Sequence, residues 1–318
     1  MLLFLAKRLV ALLVTLLVAS LVIFLVMEAL PGDVAVVVLG TGAREDTLAA
    51  FRSLHGLDRP LATRYVEWIG DLIRGDFDES YTDGRPIGEI ILDRLSISLP
   101  LALLGVVLST LVAIPLGVLA AGQHGRVMDL VVMAFSQTGV AVPNFWFAFL
   151  LSLVFAVQLR WLPSGGFPGW ESGLWPALTS LLMPGIALAL PQAAILARVT
   201  RSSMLETLGE DYVRTARAKG LSKRAVLWRH ALRNAMIPVL TILGLQFSFL
   251  LAGTIIIENV FYLPGLGRLI FDAISDRDLL VVRNLVLLLV GAVIVINFIV
   301  DVIYVLVDPR LRRASTHA

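Results

Sequence analysis

Six long apolar blocks alternate with polar stretches along this chain of 318 residues. They run from Leu9 to Leu30, Leu95 to Ala121, Leu130 to Leu159, Ser172 to Ala197, Asn234 to Ile257, and from near Asn284 to near Val307. Roughly 20 mostly apolar residues suffice to cross about 30 Å of hydrocarbon as a helix. Backbone groups find no water partner in lipid, so each block is predicted to be a spanning helix. Charges are nearly absent from them: Glu28 in the first, Asp301 in the last, none in the second or third. The fourth carries Pro176, Pro184 and Pro191. Lys7 and Arg8 before the first block resemble the start of a secretory signal. However, the 22-residue run from Leu9 to Leu30 exceeds the roughly 7–15 apolar residues of a signal. A retained helix is expected.

Lys and Arg set the orientation, because short cytoplasmic segments carry them in excess. With the N-terminus inside, fifteen fall on the inner side and four on the short outer segments, the long outer loop being set aside. Both termini are therefore expected in the cytoplasm.

Two loops are too long to be mere connections. In the outer one, Pro31 to Arg94, the residues Leu61, Tyr65, Trp68, Ile69, Leu72 and Ile73 fall at helical spacing, with Gly75 as a stop. Leu48, Phe51 and Leu54 form a second such set. A small helical cap is predicted, against the alternative of a solvated loop. In the inner one, Arg198 to Asn234, a helix is predicted over Glu210 to Lys219. Gly220 supplies a left-handed stop and Ser222 caps a second short helix. A charged loop that only fixes topology and touches anionic lipid is the alternative. The division expected is a first helix (1–30), a cap (31–94), and a five-helix core (95–318) containing the inner loop 198–234. The fold class is all-α, polytopic, with six membrane spans.

Composition narrows the function. The chain is 58% hydrophobic and 16% charged, with a net charge of only +2; this disfavours a nucleic-acid partner and implies lipid as a neighbour. There is no cysteine, hence no disulfide or thiolate metal site. The only lysines are Lys7, Lys219 and Lys223, and none follows a glycine, so no phosphate-binding Gly-Lys-Ser/Thr loop exists. No His-Glu-x-x-His and no Gly-x-Ser-x-Gly occurs. No catalytic residue, metal site or cofactor is expected.

Polar residues inside spans are costly and are candidates for function. Gln137, Asn144, Gln192 and Gln246 are candidate pore or gate residues; Asn297 joins them as an intramembrane polar group. Asn144 follows Pro143 and Gln192 follows Pro191, where a freed carbonyl permits a bend. Helix–helix adhesion through amide hydrogen bonds is the alternative for each. Glu28 and Asp301 read as interfacial anchors. The scarcity of midplane acids argues against a proton- or sodium-coupled carrier.

The run Asp211-Tyr212-Val213-Arg214-Thr215-Ala216-Arg217-Ala218-Lys219-Gly220-Leu221 resembles the EAA loop of binding-protein-dependent ABC importers, most closely that of dipeptide and oligopeptide permeases. Arg214-Thr215-Ala216 stands at the Glu-Ala-Ala place and Gly220 at the glycine. Where the general pattern ends in Ile-x-Leu-Pro, this chain has His230-Ala231-Leu232-Arg233, with Pro238 later. Pro31-Gly32-Asp33, Gly56-Leu57-Asp58-Arg59-Pro60-Leu61, Arg74-Gly75-Asp76, Trp161-Leu162-Pro163, Glu258-Asn259-Val260-Phe261, Pro264-Gly265-Leu266-Gly267 and Asp308-Pro309-Arg310 resemble the first of the two permeases in that family, in order. Arg277-Asp278-Leu279-Leu280 departs from it, relatives often having Tyr-Pro after Arg-Asp.

The resemblance implies a type I importer permease in the bacterial inner membrane. Its partners would be a second homologous permease, two ATP-binding subunits that hold ATP and Mg, and an extracytoplasmic peptide-binding protein. A helix from about Glu206 to Lys219 would couple to an ATPase, with Asp211, Tyr212, Arg214, Thr215, Ala216, Ala218, Lys219, Gly220 and Leu221 as candidate contacts. Pro264, Gly265, Arg277 and Asp278 are candidates for docking the binding protein. Nickel complexes, glutathione and opine-like compounds are the alternative cargoes of close relatives, and an ATP-independent secondary carrier is the more distant alternative.

Overall fold

The computed structural model describes the backbone of residues 2–30 and 32–307, with side chains for 5–30, 32–251 and 253–302. Pro31 and the tail from Asp308, including Arg310, Arg312 and Arg313, lie outside the described residues. Among the described residues the chain is helical, the isolated bridge Glu79–Pro86 being the only strand-like pairing.

The first span is α1 (Leu2–Ala29). Three short helices follow: α2 (Val34–Leu39), α3 (Glu45–Leu54) and α4 (Leu61–Arg74). Asp33 caps α2 by accepting from the Ala35 amide at 2.9 Å. It also accepts from the Arg52 guanidinium at 2.5 and 3.0 Å, which holds its carboxyl below the usual range. Gly75, at φ 83°, ends α4 as expected. The apolar face of α4 is narrower than its spacing suggested. Trp68 is buried and Tyr65, Ile69 and Leu72 are half-buried, but Leu61 and Ile73 face outward. In α3 Leu48 is buried whereas Leu54 is exposed. The cap is pinned to the spans rather than resting loosely on them: Trp68 Nε1 donates to Asn284 Oδ1 at 2.9 Å, and Asn284 Nδ2 donates to the Phe77 carbonyl at 2.8 Å. The Arg283 guanidinium stacks over Trp68, 4.5 Å from the ring centroid. Arg64 pairs with Glu28 at 2.7 Å, so that expected anchor holds the cap to α1.

The second span, α5 (Ile87–Gly122), starts eight residues earlier than the apolar block and has 36 residues. At 1.5 Å per residue it is about 54 Å long and projects beyond the hydrocarbon. The third block departs most from expectation. It forms α6 (Val127–Ala141) and α7 (Asn144–Leu151), continued by wider π-type turns at Ser152–Gln158, and the two parts meet at 100°. The break falls at Val142-Pro143. Val142 is extended, as the proline ring demands of the residue before it. Among the described residues, five helices are thus long and apolar enough to cross a membrane, or six if the bent pair counts as one span.

The fourth span, α8 (Leu174–Leu208), keeps Pro184 and Pro191 inside a continuous helix. It is the centre of the bundle: 67% of its apolar window is buried, against 11% for α1 and 6% for the last span. Small residues let α5, α8 and the fifth span approach; Ala113, Ala120, Ala193, Ala197 and Val239 are all buried in one cluster. Next come α9 (Asp211–Ala218), α10 (Lys223–Ala225) and, after another π-type stretch at Val226–Ala231, the fifth span α11 (Leu232–Val260). A short helix, α12 (Leu266–Ser275), precedes the last span, α13 (Leu279–Val307). Asp301 of α13 pairs with Arg8 of α1 at 3.1 Å, placing both at the end of the bundle opposite the cap.

Candidate coupling and translocation sites

The basic loop folds as helix, turn, helix, but not with the expected boundary. No single helix covers Glu206 to Lys219: α8 runs to Leu208, Gly209 and Glu210 break the chain, and α9 begins at Asp211. Alternation inside α9 explains its docking. Val213 and Ala216 are buried with Val226, and Leu208 packs on them. The other side of α9 carries Asp211, Tyr212, Arg214, Thr215, Arg217, Ala218 and Lys219, all exposed; Gly220 and Leu221 beyond it are exposed too. Of the candidate contacts only Ala216 faces inward. Thr215 Oγ1 donates to the Asp211 carbonyl at 3.0 Å, Arg214 pairs with Asp211 at 3.3 Å, and Asn234 Nδ2 donates to Tyr212 Oη at 2.7 Å.

The turn after α9 satisfies the free carbonyls of the helix end in the Schellman pattern. The Leu221 amide donates to the Ala216 carbonyl at 3.3 Å and the Gly220 amide to Arg217 at 2.9 Å. Gly220 has φ 77°, and a Cβ there would meet nothing within 4 Å. Ser222 Oγ then accepts from the Ala225 amide at 3.3 Å, the cap expected of it.

At this same end the sequence reading missed an ionic knot. Asp129 Oδ1 accepts from Arg201 Nε, while Asp129 Oδ2 accepts from Arg201 Nη2 at 2.9 Å and from the Gly125 amide at 2.9 Å and lies 3.0 Å from His124 Nδ1. The Asp129 side chain is 5% exposed. The knot ties the α5–α6 turn to α8 about two turns before the end of that helix. Its signal was a lone acid placed one residue ahead of an uncharged block.

The polar span residues separate into different situations. Gln192 on α8 and Gln246 on α11 meet: Gln246 Nε2 donates to the Gln192 carbonyl at 3.0 Å. Their side-chain oxygens are buried without a partner. Asn144 is half-buried at the start of α7, its Oδ1 accepting from the Phe145 amide at 2.9 Å, and Gln137 on α6 is exposed. Asn297 Oδ1 on α13 is also buried and unpartnered.

On the cap side, Glu258 organises the turn into α12. Its carboxylate accepts from Ser98 Oγ at 2.5 Å, from the Gly267 amide at 2.7 Å and from the Arg268 amide at 3.3 Å. Ser98 Oγ in turn accepts from the Leu266 amide at 2.8 Å. The side chain thus answers the unpaired donors of a helix N-terminus. Gly265 is buried against Glu258, leaving no room for a Cβ, and Pro264 is half-buried. Asp278 is 1% exposed. It accepts from Ser80 Oγ at 2.6 Å, Thr82 Oγ1 at 3.0 Å and the Val281 amide at 3.2 Å, fastening the cap to the start of α13. Arg277, next in sequence, and Tyr262, in the turn before α12, stand exposed at φ 55° and 52°, in the region glycine favours. Nearby, burial pushes the Asp78 carboxyl up, and Tyr81 up to about 12.

Residues 113–313 match the family model of the binding-protein-dependent transport system inner membrane component, and residues 1–102 match the model of the N-terminal region of such membrane components. The chain is 40% identical over 309 residues to a probable peptide ABC transporter permease of Sinorhizobium fredii, covering 97% of this chain and 99% of that one. A putative peptide transport system permease of Brucella abortus is 42% identical over 308 residues (96% and 98%). A glutathione transport system permease of Salmonella choleraesuis is 41% identical over 312 residues (98% and 99%). Among solved structures, the inward-facing MetNI methionine ABC transporter superposes with a TM-score of 0.56 at 17% identity, covering 69% of this chain and 96% of that one; the fold is shared. With matched models, relatives aligned end to end and several apolar helices, this multi-pass inner-membrane chain belongs to the family of binding-protein-dependent transport system inner membrane components.

Proposed function

We propose that this chain is the first of two permease subunits of a peptide importer, with ATP hydrolysis carried out by two partner subunits and cargo delivered by an extracytoplasmic binding protein. The observation that carries the reading is the exposed face of α9, closed by the Gly220 turn at the end of the bundle opposite the cap. An ATPase can push there without contacting lipid. Orientation follows from the charge bias: α9 and both termini face the cytoplasm, and the cap faces outward. Closure of the ATPases moves α9, and the spans then rock as rigid bodies between inward-open and outward-open states. The amide oxygens of Gln192 and Gln246, buried and unpaired, supply weak polar contacts to a passing peptide backbone. Tyr262 and Arg277 offer the exposed side chains for docking the binding protein, with Pro264, Gly265 and Asp278 shaping the turns that present them.

Glutathione is itself a tripeptide, so the glutathione permease among the relatives fits the same cargo class. The test is reconstitution of the full complex in proteoliposomes. Labelled di- and oligopeptides and glutathione are supplied with the binding protein outside and ATP inside. Uptake that needs internal ATP supports the reading. Uptake driven by a proton gradient after ATP depletion would show a secondary carrier.

A further inference from the structure

The cap holds a cavity of about 670 Å³ between α3, α4, the segment 76–81 and the start of α13, within the size range of small-ligand sites. Glu67, Asp76 and Glu79 line it and are exposed, so it is open to solvent. Arg283, on its α13 wall, is a cation short of partners. Its side chain is 10% exposed, and its Nε is buried without a hydrogen-bond partner. Among the described residues its ion-pair partner is Asp78, whose Oδ2 lies 3.6 Å from Nη2, beyond hydrogen-bond length. Burial pushes the Asp78 carboxyl up, which weakens it as a counter-charge. Stacking on Trp68 holds the guanidinium in place but offers its N–H groups no lone pair. A cation taken out of water is costly unless it is paired and hydrogen-bonded. The other arginines of the wall are engaged, Arg59 with Glu67 and Arg64 with Glu28. Among the acids, Asp71 pairs with Arg74. Asp76 and Glu79 have no basic group within ion-pair distance among the described residues. The cavity thus presents one under-satisfied cation and two carboxylates without a counter-charge, on different elements. Phe51, Leu54, Leu57 and Tyr81 add apolar and aromatic surface.

We propose that this cavity binds a short peptide with free ends, its terminal carboxylate on Arg283, its terminal ammonium on Asp76 and Glu79, and its side chains on the aromatic wall. Unmet charges of both signs select a zwitterion over a simple anion or cation. The inference rests on the peptide reading above and on the outward-facing cap. The cavity then holds cargo on the delivery side before it reaches the spans.

The test uses the complete permease–ATPase complex in nanodiscs, without the binding protein. Titration calorimetry measures the affinity for trialanine, and for acetyl-trialanine and trialanine amide, each of which lacks one terminal charge. The parent complex binds trialanine about tenfold more tightly than the amide, the worth of a hydrogen bond to a charged group, and about fivefold more tightly than the acetyl peptide, the worth of two exposed ion pairs. Arg283→Gln lowers trialanine affinity by about tenfold and leaves the amide unaffected, because that peptide has no carboxylate to lose. Asp76→Asn with Glu79→Gln changes only exposed side chains, so the cap stays folded. It lowers trialanine affinity by about fivefold and leaves acetyl-trialanine unaffected. Arg44→Gln, in the cap outside the cavity, changes nothing. Equal affinity for free and blocked peptides overturns the proposal, and so does unchanged trialanine affinity in the acid double variant. A fall in ATP hydrolysis stimulated by the binding protein, with trialanine affinity unchanged, also overturns it and gives the cavity to that protein. Import is read separately. A complex that imports peptide with its binding protein but binds no trialanine without it refutes the cap site and leaves the importer reading intact. One that binds trialanine at the cap yet imports no peptide does the reverse.

Discussion

Gly220 offers a clean test of coupling because its two possible constraints separate. Its φ is 77°, yet a Cβ there would touch nothing within 4 Å. Substitution therefore meets no clash and costs only the left-handed backbone, about 1–2 kcal/mol for an L-residue. That penalty falls on an eight-residue helix held by a three-residue apolar cluster, Val213, Ala216 and Val226. By the Boltzmann relation it lowers the population of the native turn by about 5- to 30-fold. Gly220→Ala is expected to reduce peptide transported per ATP hydrolysed while the complex still assembles. Gly220→Val, with a β-branched side chain in the same backbone region, reduces it further. Gly220→Asn recovers most of the ratio, since Asn tolerates this conformation. Gly75→Ala is the control: φ is 83° with equally open space, but it lies in the cap. The measurement is paired uptake and phosphate release in proteoliposomes. If Ala, Val and Asn at position 220 behave alike, or if Gly75→Ala uncouples as strongly, the turn geometry is not what coupling needs.

Three further outcomes are expected. Arg277→Gly relieves a left-handed φ of 55°; the thermal midpoint of the complex rises, by up to about 1 kcal/mol in stability, while stimulation of ATP hydrolysis by the binding protein falls, and unchanged stimulation removes Arg277 from docking. Ser98→Ala strips a donor from Glu258 and an acceptor from the Leu266 amide, costing about 1–3 kcal/mol per buried group, read as faster hydrogen exchange across α12; protection equal to the parent contradicts the capping role. Asp129→Asn leaves Arg201 without its buried counter-charge, a loss of about 3 kcal/mol, seen as earlier thermal release of the α5–α6 turn to proteolysis; a trimmed Arg201→Leu partner variant recovers part of it.

Much of the architecture was legible because lipid imposes long apolar runs and few charges. Span positions followed from that constraint alone. Span ends did not, since α5 and α8 run past the hydrocarbon as ordinary amphipathic helices, where Glu89, Arg94, Arg201 and Glu206 are tolerated. The 100° break was half legible: Pro143 was marked as a bend, yet Pro191 was marked alike and stays inside a continuous helix. A proline stays inside a spanning helix where neighbours can receive the freed groups, and that is a tertiary fact. The turn at Gly220 and the cap at Ser222 were readable because each is written within six residues. The Glu258, Asp129 and Asp278 networks were not, because their partners lie 160, 72 and 198 residues away in sequence.

The two ends of the bundle are built on different principles, and this bears on how a push at α9 reaches the spans. At the cap end, buried carboxylates with several donors each fix α12, α13 and the cap as one body. Unmaking such a network costs several kcal/mol. At the opposite end, α9 is separated from α8 by Gly209-Glu210 and leans on it through a few small apolar residues. Such a contact slides or tilts at far lower cost. The Asp129–Arg201 pair lies just behind it and joins α6 to α8. In the proposed mechanism a displacement of α9 passes into α8 and α6 together, not into α8 alone. The bend at Pro143 is then the point where that motion changes direction. Stiffening it with Pro143→Ala, which allows α6 to continue into α7, is expected to slow transport without lowering ATP hydrolysis. Equal loss of both activities would place the bend in assembly and not in transmission.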